Sequence, residues 1–216
     1  IGEMLIDFTP GGEPASYVRN PGGAPANAAI AVARSGLSAG LCTSVGDDDF
    51  GRFLVKTLED NGVRAINPRL CGEAVTTLAF VTLAPDGNRS FTFARKPGAD
   101  MFLREEDVKE EDIRNSAIVH AGSFSLAAPT ADGATIKALR LGHELGKLVS
   151  FDVNYRNVVW NDDQEACNAK VREILPYVDL LKVSDEEVGM MGGEAALPGL
   201  MEEFGITVVV ETLGGA

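Results

Sequence analysis

A glycine-rich stretch followed by an asparagine is the part of this sequence best suited to bind a ligand. Residues 21–29 read PGGAPANAA. Gly22 and Gly23 lack β-carbons and let a backbone approach a ligand closely, and Pro25 suits the first turn of a helix, where no backbone N–H is needed. Asn27 lies in that turn, and its amide both donates and accepts hydrogen bonds, as a neutral polyol requires. The alternative interpretation is a glycine-rich connection in front of a packing helix.

The rest of the chain alternates between predicted strands and predicted helices. Such alternation is typical of an α/β domain with a parallel sheet and helices on both faces. An alanine-rich helix over 26–33, ending near Gly36, follows the glycine stretch. Further strands are predicted at 3–8, 39–45, 117–122, 148–153, 178–183 and 206–212, and further helices at 49–62, 105–116, 130–145, 165–175 and 194–204.

Polar side chains stand at the carboxyl ends of these strands, and in an open parallel sheet that edge is where ligands bind. The residues are Asp7, Ser123, Asn154, Ser184 and Thr212. Three aspartates at 47–49 follow another strand. They are interpreted as caps of the next helix, with a ligand role as the alternative.

A β-hairpin interrupts the alternation. Residues 74–83 and 90–95 have strand-like patterns, and Pro85-Asp86-Gly87-Asn88 between them is a turn signal. Such a hairpin could form a separate small sheet that covers a cleft. Residues 9–21 are predicted to be a loop, because they are rich in glycine and proline.

Composition limits the classes of partner. The 216 residues suit one large α/β domain, alone or with a small appendage, and the formal net charge of −13 argues against nucleic acid or an anionic membrane surface as a partner. A nucleotide is still compatible, since backbone N–H groups and Mg²⁺ can hold phosphates. The three cysteines are widely spaced and lack metal-type pairing, which indicates reduced thiols and a cytoplasmic setting. The chain begins within a predicted strand, so a few preceding residues are expected.

Several motifs in this order resemble the ribokinase-like family of sugar kinases, and the fructokinases within it most closely. The motifs are Gly2–Asp7, Pro21–Asn27, Val45–Gly51, Thr76–Phe80, Arg95–Asp100, Phe151–Arg156 and Lys182–Glu187. The resemblance implies an α/β fold with a mostly parallel central sheet, helices on both faces and a small β lid. By this resemblance, residues 1–8, 22–70 and 97–216 form the core, and residues 9–21 and 71–96 form the lid over the sugar site.

The resemblance also implies which residues bind the sugar. They are Asp7, Gly22, Gly23, Asn27, Arg95 and Ser123. A carboxylate at Asp7 can accept from two hydroxyls, whereas the alternative for this residue is a cap or turn role. Arg95 would reach from the lid to a substrate hydroxyl, and its alternative is a surface arginine.

On the nucleotide side, Lys182–Glu187 resembles the family's Asn-x-x-Glu element, with Ser184 at the asparagine position. Glu187 would hold Mg²⁺ through water, close to the phosphates of ATP. A structural ion pair is the alternative for Arg156. The implied nucleotide-binding residues are Asn154, Arg156, Lys182, Ser184, Thr212 and Gly214. A monovalent cation such as K⁺ and a homodimer formed through the lid are further expectations.

The resemblance implies an ATP-dependent kinase that converts D-fructose to D-fructose 6-phosphate. The alternatives are a kinase for ribose or 2-keto-3-deoxygluconate, and a non-catalytic sugar-binding relative. Similar kinases carry a Gly-Ala-Gly-Asp stretch whose aspartate is the catalytic base, and this stretch is expected beyond Ala216. Asp152 and Asp185 fit scaffold and metal roles better than the role of base.

Overall fold

The computed structural model of this chain describes residues 1–13, 15–83 and 89–214. Contacts divide the chain into two compact units, one of residues 2–103 and one of residues 104–216 together with Ile1. The turn predicted at 85–88 lies outside the described residues. In the part of the chain that is described, no helix is both long enough and apolar enough to cross a bilayer.

The unit of residues 2–103 contains a mixed four-stranded sheet and a parallel strand pair. Its elements are β1 (Leu5–Pro10), β2 (Tyr17–Gly22), α1 (Ala24–Arg34), β3 (Ala39–Gly46), α2 (Asp49–Asp60), β4 (Val63–Cys71), β5 (Leu78–Leu83) and β6 (Arg89–Ala94), then a 3-10 turn at Ala99–Phe102. The sheet has the order β2-β1-β5-β6, in which β1 and β5 are parallel and the two outer pairs are antiparallel. Strands β3 and β4 form the parallel pair.

Apolar side chains from one face of β1 form the core of this unit. Ile6 is wholly buried in a cluster with residues of β3 and α2, namely Leu41, Val45, Leu54 and Leu58. The ring of Phe8 stacks on Phe80 with a centroid distance of 5.1 Å. Because side chains alternate along a strand, Asp7 faces the opposite side of the sheet from Ile6 and Phe8.

The helix termini singled out in the sequence are confirmed. Helix α1 begins directly after Gly23 with a proline in its first turn, and Gly36 follows its end with φ +84°. Helix α2 is capped by Asp48, whose Oδ1 accepts from the Gly51 N–H at 2.8 Å. The cap interpretation of the acidic residues is therefore correct for Asp48.

The unit of residues 104–216 contains a parallel sheet. Its elements are α3 (Glu110–Arg114), β7 (Ile118–Gly122), α4 (Pro129–Glu144), β8 (Leu148–Asp152), α5 (Asn157–Trp160), α6 (Gln164–Ile174), β9 (Leu180–Ser184), α7 (Asp185–Met190), α8 (Leu197–Phe204) and β10 (Val208–Thr212). The sheet has the order β10-β9-β8-β7, with every pair parallel. Leu139, Phe151, Ile174 and Leu181 are wholly buried in this unit.

Three local expectations were wrong. Residues 17–21, predicted as part of a loop, lie in the edge strand β2, because pairing with β1 overrides a sequence that contains Pro21. No strand was expected at 63–71, where β4 pairs with β3 through a register shift beside Cys42 and Ser44. The charged helix expected over 105–116 is a 3-10 turn at Glu105–Asp107 followed by the short helix α3.

The α/β fold class is confirmed. Antiparallel pairing among the described strands involves β2 and the β5–β6 hairpin, which are the segments expected in the lid, and the other strand pairs are parallel. The lid boundaries at 9–21 and 71–96 stay a prediction.

Candidate functional site

Asp7 and the glycine turn are in direct contact. Asp7 lies opposite Asn20 in the β1–β2 pair, and Leu5 lies opposite Gly22 on the same face. A Cβ placed on Gly22 would lie 2.2 Å from Asp7 Oδ2, so the Asp7 carboxylate lies where a side chain at position 22 would begin. A side chain at position 22 would therefore displace the carboxylate from its observed position.

The next glycine shapes the start of α1. Gly23 has φ +106°, and a Cβ there would lie 2.5 Å from the carbonyl oxygen of Glu3. The Gly23 carbonyl accepts from the Asn27 backbone N–H at 2.9 Å, and the Asn27 side chain is exposed one helical turn beyond the glycines. Asp7 therefore contacts Gly22, and Asn27 is bonded through its backbone to Gly23, while a shared binding role for these residues stays a prediction.

Arg95 follows directly after the hairpin strand β6 and forms a buried ion pair. Its Nε and Nη2 each lie 2.8 Å from Asp100 Oδ2, and the side chains of Arg95 and Asp100 are 7% and 1% exposed. The other oxygen of Asp100 accepts from the Thr77 hydroxyl, just before β5 begins. The surface-arginine alternative for Arg95 is therefore wrong, and Asp100 joins the two ends of the hairpin.

Glu3 is a buried carboxyl group that the sequence analysis did not single out. It is 3% exposed, and its Oε1 accepts from the Ala24 N–H at 3.0 Å, while Oε2 has no hydrogen-bond partner among the described residues. Burial raises the pKa of Glu3 to about 7; the backbone N–H groups of Glu3 and Ala24 oppose the rise, Asp100 adds to it and Arg95 opposes it. An acidic residue beside the apolar run Met4–Ile6 was the available signal.

Glu187 is held by two backbone amides. Its Oε1 accepts from the Tyr155 N–H at 2.7 Å and its Oε2 from the Ser184 N–H at 2.8 Å. The Ser184 hydroxyl in turn accepts from the Glu187 N–H at 3.2 Å, which completes a capping box at the start of α7. Glu187 is 5% exposed, so it joins the loop after β8 to the end of β9.

The other predicted nucleotide residues lie along the same strand ends. Lys182 of β9 forms an ion pair with Asp152 of β8 (Nζ–Oδ1 3.2 Å). Asn154 follows β8 in a left-handed conformation, with φ +39°. Arg156 donates from Nη1 to the Tyr155 carbonyl at 2.9 Å, and no ion pair of Arg156 occurs within the described ranges.

The last two predicted positions are exposed at the end of β10. Thr212 lies opposite Ser184 in the β9–β10 pair and donates to the Val183 carbonyl at 3.4 Å. Gly214 has φ +61° with no atom within 4 Å of an added Cβ. The backbone at position 214 is thus exposed and adopts a conformation that favours glycine.

Ser123 lies just beyond the end of β7 and is wholly buried. Its neighbour is the Cys167 thiol, whose pKa burial raises to about 11, with Ser123 opposing the rise. Cys167 is therefore an inert core thiol, and Ser123 packs in the interior of its unit.

Comparison with known proteins identifies the family of this chain. The family model "pfkB family carbohydrate kinase" matches residues 1–216. The chain belongs to the pfkB family of carbohydrate kinases.

Among curated pfkB relatives, Fructokinase-1 of Oryza sativa subsp. japonica is 43% identical over 199 residues, covering 89% of this chain and 61% of that protein. Fructokinase-1 of Zea mays is 41% identical, with the same coverage of both chains. The chain thus spans about 61% of the length of these relatives.

Solved structures of the pfkB fold agree with this membership. Fructokinase from Vibrio cholerae O395 in fructose, ADP and calcium ion bound form is 35% identical with a TM-score of 0.86, and the match covers 99% of this chain and 69% of that chain. Fructokinase from Xylella fastidiosa with bound ATP is 30% identical with a TM-score of 0.83, covering 99% and 71%. Structural relatives of this chain therefore bind nucleotide, and the first also binds fructose and a metal ion.

Proposed function

We propose that this protein transfers the terminal phosphoryl group of ATP to the 6-hydroxyl of D-fructose. The observation that carries the proposal is the Asp7 carboxylate held against the glycine turn that begins α1. Fructokinases at about 40% identity support the choice of sugar. The reaction depends on positioning and on charge around an in-line transfer.

On the sugar side, three side chains have complementary roles. Asp7 accepts from two sugar hydroxyls, and each hydrogen bond to a charged group contributes roughly 1.5–3 kcal/mol. The Asn27 amide donates and accepts from one turn up the helix. Arg95 donates to a further hydroxyl from the base of the hairpin, oriented by its pair with Asp100. Ser123 is left out of this set, because it is wholly buried.

On the nucleotide side, the ends of β8, β9 and β10 form the binding edge. The phosphates of ATP contact Lys182, Asn154 and Arg156 in this proposal. Ser184 supports the loop that begins α7, and the adenine side is formed by Thr212 and Gly214. ATP and ADP bound to relatives support this placement.

Mg²⁺ is the proposed metal, and Glu187 is its proposed partner. Both carboxylate oxygens already accept a backbone N–H, so direct coordination does not fit. Their remaining lone pairs do fit hydrogen bonds from metal-bound water. The metal neutralises charge on the phosphates when it is bound.

The catalytic base is proposed to lie outside residues 1–216. Asp152 is ion-paired with Lys182, and Asp185 accepts from the Glu186 N–H at 3.0 Å in the first turn of α7. Neither carboxylate is therefore proposed to take the proton of the sugar hydroxyl. The Gly-Ala-Gly-Asp stretch of similar kinases is the expected source.

Further parts of the proposal concern assembly and setting. Strands β2 and β6 are the edges of the four-stranded sheet, and Tyr17 and Val18 of β2 are 52% and 51% exposed. We propose that this sheet closes over the sugar and that its edge pairs with the same sheet of a second copy. We also propose that the enzyme is cytoplasmic and uses a monovalent cation such as K⁺. Sedimentation of the wild type and of Val18→Lys tests the dimer, which the charged residue should dissociate.

A sugar panel tests the reaction. The full-length protein is given Mg²⁺-ATP with D-fructose, D-ribose or 2-keto-3-deoxygluconate, and ADP release is followed by a coupled assay. The expected result is the highest kcat/KM with D-fructose and no turnover with a chelator in place of Mg²⁺. A higher kcat/KM with another sugar would favour the alternative kinase. Sugar binding without ADP release would favour a non-catalytic relative.

A further inference from the structure

Glu3 contacts the glycine turn with both its main chain and its side chain. A Cβ placed on Gly23 would lie only 2.5 Å from the Glu3 carbonyl oxygen. The Glu3 Oε1 accepts from the Ala24 N–H at 3.0 Å. Directly before it, Gly2 has no room for a side chain, because a Cβ there would meet the Pro25 ring at 2.7 Å. Residues 2–3 therefore hold the conformation of residues 23–25 from one side.

The Glu3 carboxyl group is incompletely satisfied. Oε2 is buried without a hydrogen-bond partner among the described residues, although the whole residue is only 3% exposed. The charged groups that act on it are Arg95 and Asp100, which are themselves paired at the base of the hairpin. A carboxyl group so placed is neither a surface charge nor a fully bonded structural cap.

We propose that Glu3 is a positioning residue for the sugar site: its ionised carboxylate fixes the glycine turn in the binding conformation, and uptake of a proton loosens that turn. The proposal rests on the proposed function, because the turn is the one that binds sugar there. An ionised acceptor holds the Ala24 N–H about twice as strongly as a neutral one and complements the positive end of α1. The neutral form therefore leaves Gly22, Gly23 and Asn27 less firmly placed.

The pH at which the effect occurs helps to identify the group that is responsible for it. Burial raises the pKa of Glu3 to about 7. Both histidines of the chain, His120 and His143, lie outside residues 2–103. Ordinary carboxylates titrate near pH 4, so a transition in sugar affinity between pH 6 and 8 that Glu3→Gln removes belongs to Glu3.

The test compares the full-length wild type with Glu3→Gln, which keeps the shape and the acceptor oxygen but cannot ionise. Glu59→Gln, an exposed change on α2, is the matched control. Fructose affinity is measured by calorimetry from pH 5.5 to 8.5, together with KM and kcat. The wild type and the control should bind fructose about fivefold more weakly below the transition than above it. The dependence of kcat on pH, measured at saturating substrate, should be the same in all three proteins. Glu3→Gln should show the weak affinity at every pH.

The outcomes separate the inference from the proposed function. Fructose binding by the wild type with no change in affinity across this pH range overturns the role of Glu3, even if the variant fails to fold. The same holds if Glu3→Gln folds and keeps a pH dependence like that of the wild type. Absence of fructose binding by the wild type at every pH instead overturns the proposed function, and the role of Glu3 falls with it.

Discussion

The carboxylate of Asp7 occupies the space that a side chain on Gly22 would need, since a Cβ at position 22 would lie 2.2 Å from Asp7 Oδ2. The glycine at the end of β2 and the acid in the middle of β1 therefore depend on each other. Because Gly22 has no side chain, the Asp7 carboxylate can lie against the turn that begins α1.

Gly22→Ala should weaken fructose binding by displacing Asp7. Loss of one hydrogen bond to a charged group corresponds to about tenfold or more in affinity. Calorimetry with fructose measures the change. Gly199→Ala on α8 is the matched control, because a Cβ there meets no atom within 4 Å. Equal affinities for the two variants would show that the contact between residues 7 and 22 has no role in binding.

Asp100→Asn should destabilise the protein strongly. It leaves the Arg95 guanidinium buried without its counter-charge, and breaking a buried pair typically costs about 3–5 kcal/mol. Urea unfolding measures the loss. Asp47→Asn breaks the exposed pair with Arg52 and should produce no measurable change. If both variants unfold at the same urea concentration, the Arg95–Asp100 pair does not hold the base of the hairpin.

Glu3 should make the protein less stable as pH rises. The folded protein keeps the Glu3 proton up to a pKa of about 7, whereas the unfolded chain releases it near 4.5. Between these values the folded state binds more protons, so the free energy of unfolding falls with rising pH, by an amount on the order of 3 kcal/mol for this single group.

The difference in unfolding free energy between Glu3→Gln and the wild type isolates this term, because other titrating groups contribute equally to both. Denaturant titrations at pH 5 and pH 8 give the difference. The advantage of Glu3→Gln should be larger at pH 8 than at pH 5. A difference that does not change with pH would mean that Glu3 is not titrating in the folded protein.

Local patterns predicted the parts of this structure that depend on neighbouring residues. The start of α1 after Gly23 and its end before Gly36 follow from glycine and proline chemistry within one stretch. The polar residues at or just after the ends of β7, β8, β9 and β10 were predictable for the same reason, but Asp7, expected at a strand end, lies in the middle of β1. Ser184 and Glu187 are three residues apart, and this spacing is typical of a capping box.

The remainder depends on residues that are distant in the sequence. Glu3 meets Ala24, and Asp100 meets Thr77, so the partners of these two buried acids depend on the fold. Strand β2 contains polar residues and Pro21, and its pairing with β1 decides its conformation. The sequence therefore identified Asp7 and the glycine turn but not the buried charges that support them.

The most direct test of the central claim is calorimetric titration of D-fructose into the full-length wild type and Asp7→Ala, with Asp60→Ala on the surface of α2 as control. We predict that Asp7→Ala loses at least about a hundredfold in affinity, because two hydrogen bonds to a charged group disappear, while its circular dichroism stays that of the wild type. The control should bind as the wild type does. A folded Asp7→Ala protein that binds fructose with unchanged affinity would contradict the sugar site proposed for this turn.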